Sequence, residues 1–116
     1  MSHLKVIICL VMVILLVVLS VVPAMANSIR GNLTISDGTV KGAYFATVDA
    51  GCTSTTTVTV QKKVDGVWTT AAYSSGSKKA TASGSADGGT EFRATAVLTV
   101  YKDGKQVDRL TVSSYK

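Results

Sequence analysis

The side chains able to do chemistry are unevenly stocked. The chain of 116 residues holds 12 Lys and Arg against 7 Asp and Glu, one histidine (His3) and two cysteines (Cys9 and Cys52). His3 lies in a segment read below as an export signal. Beyond it no histidine stands ready to activate a Ser, Thr or Cys, and no Cys/His cluster could bind zinc. Ser75-Gly76-Ser77 and Gly84-Ser85 lack the strand-to-helix setting of a nucleophile elbow. Lys78-Lys79 follows a glycine, but no phosphate-binding loop surrounds it. Asp87-Gly-Gly-Thr-Glu91 offers two carboxylates without the alternating oxygen ligands of a calcium loop. Asp37, Asp65, Asp87 and Asp103 each precede a glycine and are committed to turns, which leaves Asp49, Glu91 and Asp108 without an evident pairing for glycoside chemistry. The inventory therefore predicts no enzyme, no metal and no cofactor.

What remains suits contact rather than catalysis. Lys62, Lys63, Lys102 and Lys105 supply positive charge, and Tyr44, Tyr73 and Tyr101 supply amphipathic rings that pack on sugars or on a protein partner. Tyr44 and Phe45 are adjacent, so in a strand one of them points outward. The expected partners are an anionic cell-envelope polymer or an extracellular protein or glycan. No aromatic is interleaved along the chain with the basic residues, which argues against nucleic acid.

These residues sit in two unlike pieces. Lys5 precedes an apolar run from Val6 to Val22, and Pro23 then breaks the helix ahead of Ala24-Met25-Ala26. That order predicts a signal helix cleaved before Asn27, dividing the chain into a signal peptide (1–26) and one domain (27–116), with a secreted, extracellular product. The rival reading is an uncleaved helix over residues 6–22 anchoring the protein in a membrane, because the run approaches spanning length. Cleavage would remove Cys9 and leave Cys52 without an intramolecular partner, to be buried as a small apolar side chain or paired with a second chain. The 90 residues from Asn27 onward carry eleven Lys and Arg and a net charge of +4. That length is enough for a single small core.

After Asn27 the apolar periodicity is two, not 3.6. Short Val/Thr/Ile/aromatic runs alternate with polar residues, and four Asp-Gly pairs punctuate them as hairpin turns. Strands are predicted over Asn32–Ser36, Thr39–Val48, Thr55–Lys63, Val67–Tyr73, Lys79–Ser85, Thr90–Tyr101 and Lys105–Ser114. Seven strands at this spacing predict an all-β fold, a small immunoglobulin-like antiparallel β-sandwich preceded by the signal helix, with a small Greek-key barrel as the alternative. Ser74–Lys79 and Ser83–Gly89 read as loops around a weak strand.

Register depends on loop length. A three-residue Val64-Asp65-Gly66 loop pairs Lys62 with Trp68 and turns the indole inward with Val58 and Val60, whereas a two-residue Asp65-Gly66 turn pairs Lys63 with Trp68 on the Thr57/Thr59 face. At Lys102-Asp103-Gly104 the longer loop aligns Phe92, Ala94, Ala96, Leu98 and Val100 with Leu110 and Val112. The longer loop is adopted for both, giving a predicted core of Val58, Val60, Trp68, Phe92, Ala94, Ala96, Leu98, Val100, Leu110 and Val112.

Val58-Thr-Val-Gln-Lys-Lys-Val-Asp-Gly-Val-Trp68, then Phe92-Arg93-Ala94 running into Val100-Tyr-Lys-Asp-Gly-Lys105 and a last strand closing on Ser113-Ser114, resemble segments of a group of small exported β-rich proteins of Gram-positive bacteria. The likeness covers about residues 55–114. It implies a β-sandwich outside a bacterial cell and carries over no activity and no site residue. The resulting expectation is a secreted, non-enzymatic binding or surface-interaction module at the cell envelope. The alternative is a secreted cationic bacteriocin or toxin-like effector, which lacks a membrane-disrupting amphipathic helix after Asn27.

Overall fold

Alternating β-branched and polar residues build seven strands: β1 (Ser28–Ser36), β2 (Thr39–Thr47), β3 (Thr53–Val64), β4 (Val67–Gly76), β5 (Lys79–Ser85), β6 (Phe92–Lys102) and β7 (Lys105–Tyr115). The structure is a computed structural model and describes residues 26–116. The expected signal helix, its anchor alternative, Cys9 and His3 lie outside those residues. Among the described residues no helix is long and apolar enough to cross a membrane.

The strands form two antiparallel sheets, β1-β2-β5 and β4-β3-β6-β7, packed face to face as a sandwich. Each sheet keeps its own edges, so the barrel alternative is corrected. The apolar side of every alternating strand is spent on the space between the sheets. Leu33, Val40, Tyr44, Ala80 and Ala82 enter it from the three-stranded sheet, and Val58, Val60, Phe92, Ala94, Ala96, Leu98 and Val100 from the four-stranded one. Gly42 marks the close approach of the two sheets. A Cβ there would press on Val58, Val60 and Ala94.

Three of the Asp-Gly pairs close two-residue hairpins. Asp37, Asp65 and Asp103 have φ near +50°, and the glycines that follow have φ of 75°, 79° and 77°. Two successive left-handed residues are the signature of a type I′ turn, whose twist matches that of the strands it joins. Ser36 accordingly pairs with Thr39, Val64 with Val67 and Lys102 with Lys105. The fourth pair, Asp87-Gly88, is not a hairpin. It lies in the connection that carries the chain from β5 in one sheet to β6 in the other, where the Gly89 amide donates to the Ala86 carbonyl at 3.1 Å.

The short turns correct the predicted register. Lys63, not Lys62, pairs with Trp68, and the indole lies half-buried on the outer face rather than in the core. A bulge at Val60/Gln61, opposite the extra residue Ala71, then restores phase so that Val60 pairs with Ala72 inside. The other hairpin uses the same device. A bulge at Val100/Tyr101 brings Leu98 opposite Leu110 and Ala96 opposite Val112, the alignment expected from sequence but reached through a two-residue turn. Leu110 and Val112 are half-buried, because β7 is an edge strand. Ser74–Gly76 and Ser83–Ser85, expected as loops, continue β4 and β5.

A Cβ on Gly66 would meet no atom within 4 Å, so substitution there reports backbone conformation alone. Gly66→Ala is expected to cost ~1–2 kcal/mol, and Gly66→Asn less, since Asn tolerates the left-handed region. Urea midpoints of the two variants check this. An alanine variant as stable as the parent would exclude the type I′ turn.

Candidate functional site

Alternation that drives apolar side chains inward must drive the others outward, and the charges sort themselves in the process. All seven carboxylates avoid outward strand positions. Asp37, Asp65 and Asp103 sit in hairpin turns, and Asp49, Asp87 and Glu91 lie in connections between sheets. Asp108 is opposite the inward-facing Val100, with an oxygen 3.0 Å from the Asn27 side-chain nitrogen. By contrast, six cations occupy outward positions: Arg30, Lys41 and Lys79 on the three-stranded sheet, and Lys63, Arg93 and Arg109 on the four-stranded sheet. A basic surplus that is dilute along the chain becomes two faces whose strands present cations and no acidic side chain.

The outer face of the four-stranded sheet is the richer one. Registration brings Trp68 of β4 beside Lys63 of β3, and Gln61 of β3 beside Arg93 of β6, which is in turn opposite Tyr115 of β7. The Arg93 guanidinium carbon stands 4.2 Å from the Trp68 ring centroid, and its Nε donates to Gln61 Oε1 at 2.6 Å. Lys63 Nζ is 5.7 Å from the same ring and 3.1 Å from Glu91 at the rim. That ion pair is partly exposed and contributes at most about 1 kcal/mol. Stacking on the indole together with the Gln61 bond holds the guanidinium plane in place. The two Arg93 Nη groups make no hydrogen bond among the described residues, which leaves a preoriented fork suited to anionic oxygens. Thr57, Thr59, Thr95, Thr99 and Thr111 pave the rest of the face with hydroxyls, and Tyr73 (64 % exposed) and Tyr115 (67 %) add ring surface.

The contact residues expected from sequence are dispersed by the fold. Tyr44 is corrected outright. It is 0 % exposed in the core and its hydroxyl donates to Ser114 Oγ at 2.7 Å, so Phe45 is the outward member of the pair. Lys62 faces the sandwich interior at its mouth, where its ammonium donates to the Ser85 and Asp87 carbonyls at 3.2 and 2.9 Å. It is a structural tie between β3 and the β5–β6 connection. Lys63 and Tyr73 do lie on the outer face. Lys102 and Lys105 form the tip of the β6–β7 hairpin, at the far end of β6 from Lys63 and roughly 30 Å away at the rise of an extended strand. Tyr101 is half-buried near that far end, opposite Thr53.

Trp68, Arg93, Gln61, Arg109 and Tyr115 are the residues sequence reasoning did not select. The two-residue turn would have found Trp68, since it places the ring next to Lys63. The separation of basic and aromatic residues along the chain does not hold in space, because the Trp68 ring is in contact with both Lys63 and Arg93. Among the described residues no group of three or more His, Cys, Asp or Glu could hold a metal ion. Cys52 is half-buried in the β2–β3 connection, its amide donating to the Asp49 carbonyl at 3.2 Å.

Together these features define a class: an all-β sandwich with a basic and aromatic outer face. Compared with known protein families and with curated proteins, the chain matches none. The chemistry of the face therefore rests on its own geometry.

Proposed function

We propose that this protein is an exported, non-enzymatic immunoglobulin-like module that holds an anionic cell-envelope polymer against the outer face of its four-stranded sheet. The observation that carries the reading is the Lys63–Trp68–Arg93–Gln61 cluster, on a face whose strands present no acidic side chain and which Glu91 meets only at the rim, beside Lys63. Charge attracts the polymer, the fixed guanidinium fork engages its anionic groups, and the aromatic and hydroxyl surface accommodates its sugar rings. The immunoglobulin-like assignment draws on seven strands ordered β1-β2-β5 against β4-β3-β6-β7. Relative to the constant-type arrangement, the fourth strand has changed sheets. Export draws on the Lys5, Val6–Val22 and Ala24-Met25-Ala26 pattern, and a Gram-positive origin on the resemblance over residues 55–114.

Co-sedimentation with isolated cell envelopes tests the proposal. The protein is expected to pellet at low salt and to be released near 1 M salt, where screening acts within about 3 Å. Lys63→Glu combined with Arg93→Glu should weaken binding about tenfold, while Lys102→Glu combined with Lys105→Glu, at the remote hairpin tip, should act less. Equal losses from the two pairs would remove the assigned face, and failure to pellet at any salt would remove the envelope reading.

A further inference from the structure

The outer face of the other sheet repeats the chemistry of the first. Arg30 of β1 is opposite Phe45 of β2, and Phe45 is opposite Lys79 of β5, so one row across the sheet reads cation, aromatic, cation. Lys79 Nζ lies 5.5 Å from the Phe45 ring centroid, and that ring is 49 % exposed despite its size. That row lies near one end of the sheet, at the first residue of β5, and about half of the ring's surface stays open to solvent. Two rows away, Thr34, Ser83 and Asn32 surround the outward Lys41, again with no carboxylate among them. The two faces point in opposite directions, with sheet backbones about 10 Å apart.

We infer that the protein is bivalent: each sheet holds its own chain of a linear anionic polysaccharide, and the sandwich bridges two polymer chains. This rests on the proposed function and extends it from binding to crosslinking. Charge complementarity identifies the ligand as a polyanion, since six cations and no acidic strand residue face outward, Glu91 meeting Lys63 only at the rim. An aromatic ring in contact with cations on each face, Trp68 with Lys63 and Arg93 and Phe45 with Lys79, identifies it as one built of sugar rings. A single polymer laid along one sheet would have to reverse direction around a sheet edge to reach the other, so two chains are engaged. Because each face would carry only a few charges, single-face binding is weak and bridging strengthens it through effective concentration.

Dextran sulfate provides the probe and uncharged dextran the control. Wild-type protein should bind immobilised dextran sulfate and make its solutions turbid, with a maximum at an intermediate protein-to-polymer ratio and clearing at either excess. Arg30→Glu with Lys79→Glu should leave binding through the first face but reduce turbidity about tenfold, and Lys63→Glu with Arg93→Glu should do the same from the other side. The paired glutamine variants, which remove charge without reversing it, should fall between. Thermal unfolding of each variant verifies that it is folded. Combining both pairs should abolish retention. Retention of the wild type without turbidity overturns bivalency and leaves the binding reading intact, as does wild-type turbidity from either single-face variant. No retention of the wild type overturns the binding reading itself. Equal retention on uncharged dextran overturns the charged ligand.

Discussion

Tyr44→Ala should remove about 3–5 kcal/mol from the domain, the usual cost of emptying a large aromatic from a packed core. A domain of this length has only about 5–13 kcal/mol in total, so the loss is about a quarter of its stability or more. Tyr44 is the largest fully buried side chain among the described residues, and it projects from β2 into the core shared by both sheets. Its hydroxyl also reaches Ser114 of β7 in the opposite sheet at 2.7 Å. The ring and the hydroxyl can be separated. Tyr44→Phe keeps the ring and loses one hydrogen bond, worth about 0.5–1.5 kcal/mol, and the half-buried Ser114 hydroxyl can turn to water. Urea denaturation of the two variants gives the comparison. If alanine costs no more than phenylalanine, Tyr44 is not the inter-sheet wedge, and the outward role expected for it from sequence returns.

The second large effect lies at the crossover from β4 to β5. The chain leaves one sheet at Gly76, passes Ser77 and Lys78, and enters the other at Lys79. A Cβ at Gly76 would collide with the Lys79 carbonyl oxygen, a backbone atom with no rotamer to escape into. The crossover would have to open, and two hydrogen bonds depend on it. Ser54 and Thr56 both donate their hydroxyls to the Ser77 carbonyl at 2.9 Å. Thr56 is the one buried polar side chain of the described core, and its hydroxyl without an acceptor costs roughly 1–3 kcal/mol. Adding the strain of overpacking, Gly76→Ala is expected to cost about 3 kcal/mol or more. Gly51→Ala is the matched control. Gly51 has φ of 82° and nothing within 4 Å of a built Cβ, so only the conformational cost expected at Gly66 applies, about 1–2 kcal/mol. Hydrogen exchange at Lys79–Thr81 should accelerate in the Gly76 variant and not in the Gly51 variant. Equal stabilities for the two variants would show that the crossover tolerates a side chain.

Much of the four-stranded sheet was legible in advance because its signals are local. Val58, Val60, Phe92, Ala94, Ala96, Leu98 and Val100 alternate without interruption, and all seven are buried. The three-stranded sheet was legible as strands but not as core. Its inward positions are Leu33, Val40, Gly42, Tyr44, Ala80 and Ala82, and several are too small to stand out as apolar against Thr and Ser. Gly42 lacks a side chain where Val58, Val60 and Ala94 approach closely from the facing sheet, which no local pattern records. Trp68 went to the wrong face for a related reason. A bulky ring looks like core material, and the three-residue turn gave it a core position. The actual turns are tighter, and bulges at Val60/Gln61 and Val100/Tyr101 absorb the difference in phase. A bulge restores the buried alignment at one unpaired residue, so hydrophobic pattern alone is satisfied by either solution.

The sequence by itself determined the all-β class, seven strands and the places where three Asp-Gly pairs reverse the chain, because alternation and left-handed turn chemistry act within a few residues. It also determined that the positive charge exceeds the negative. Only the tertiary structure decided which of Tyr44 and Phe45 is buried, which lysine pairs with Trp68, and that Lys62 is tied to carbonyls while Lys63 lies over the ring. It alone decided that every outward strand charge is positive. Those outcomes depend on register between strands far apart in the chain, where a one-residue shift exchanges the two faces of the sheet.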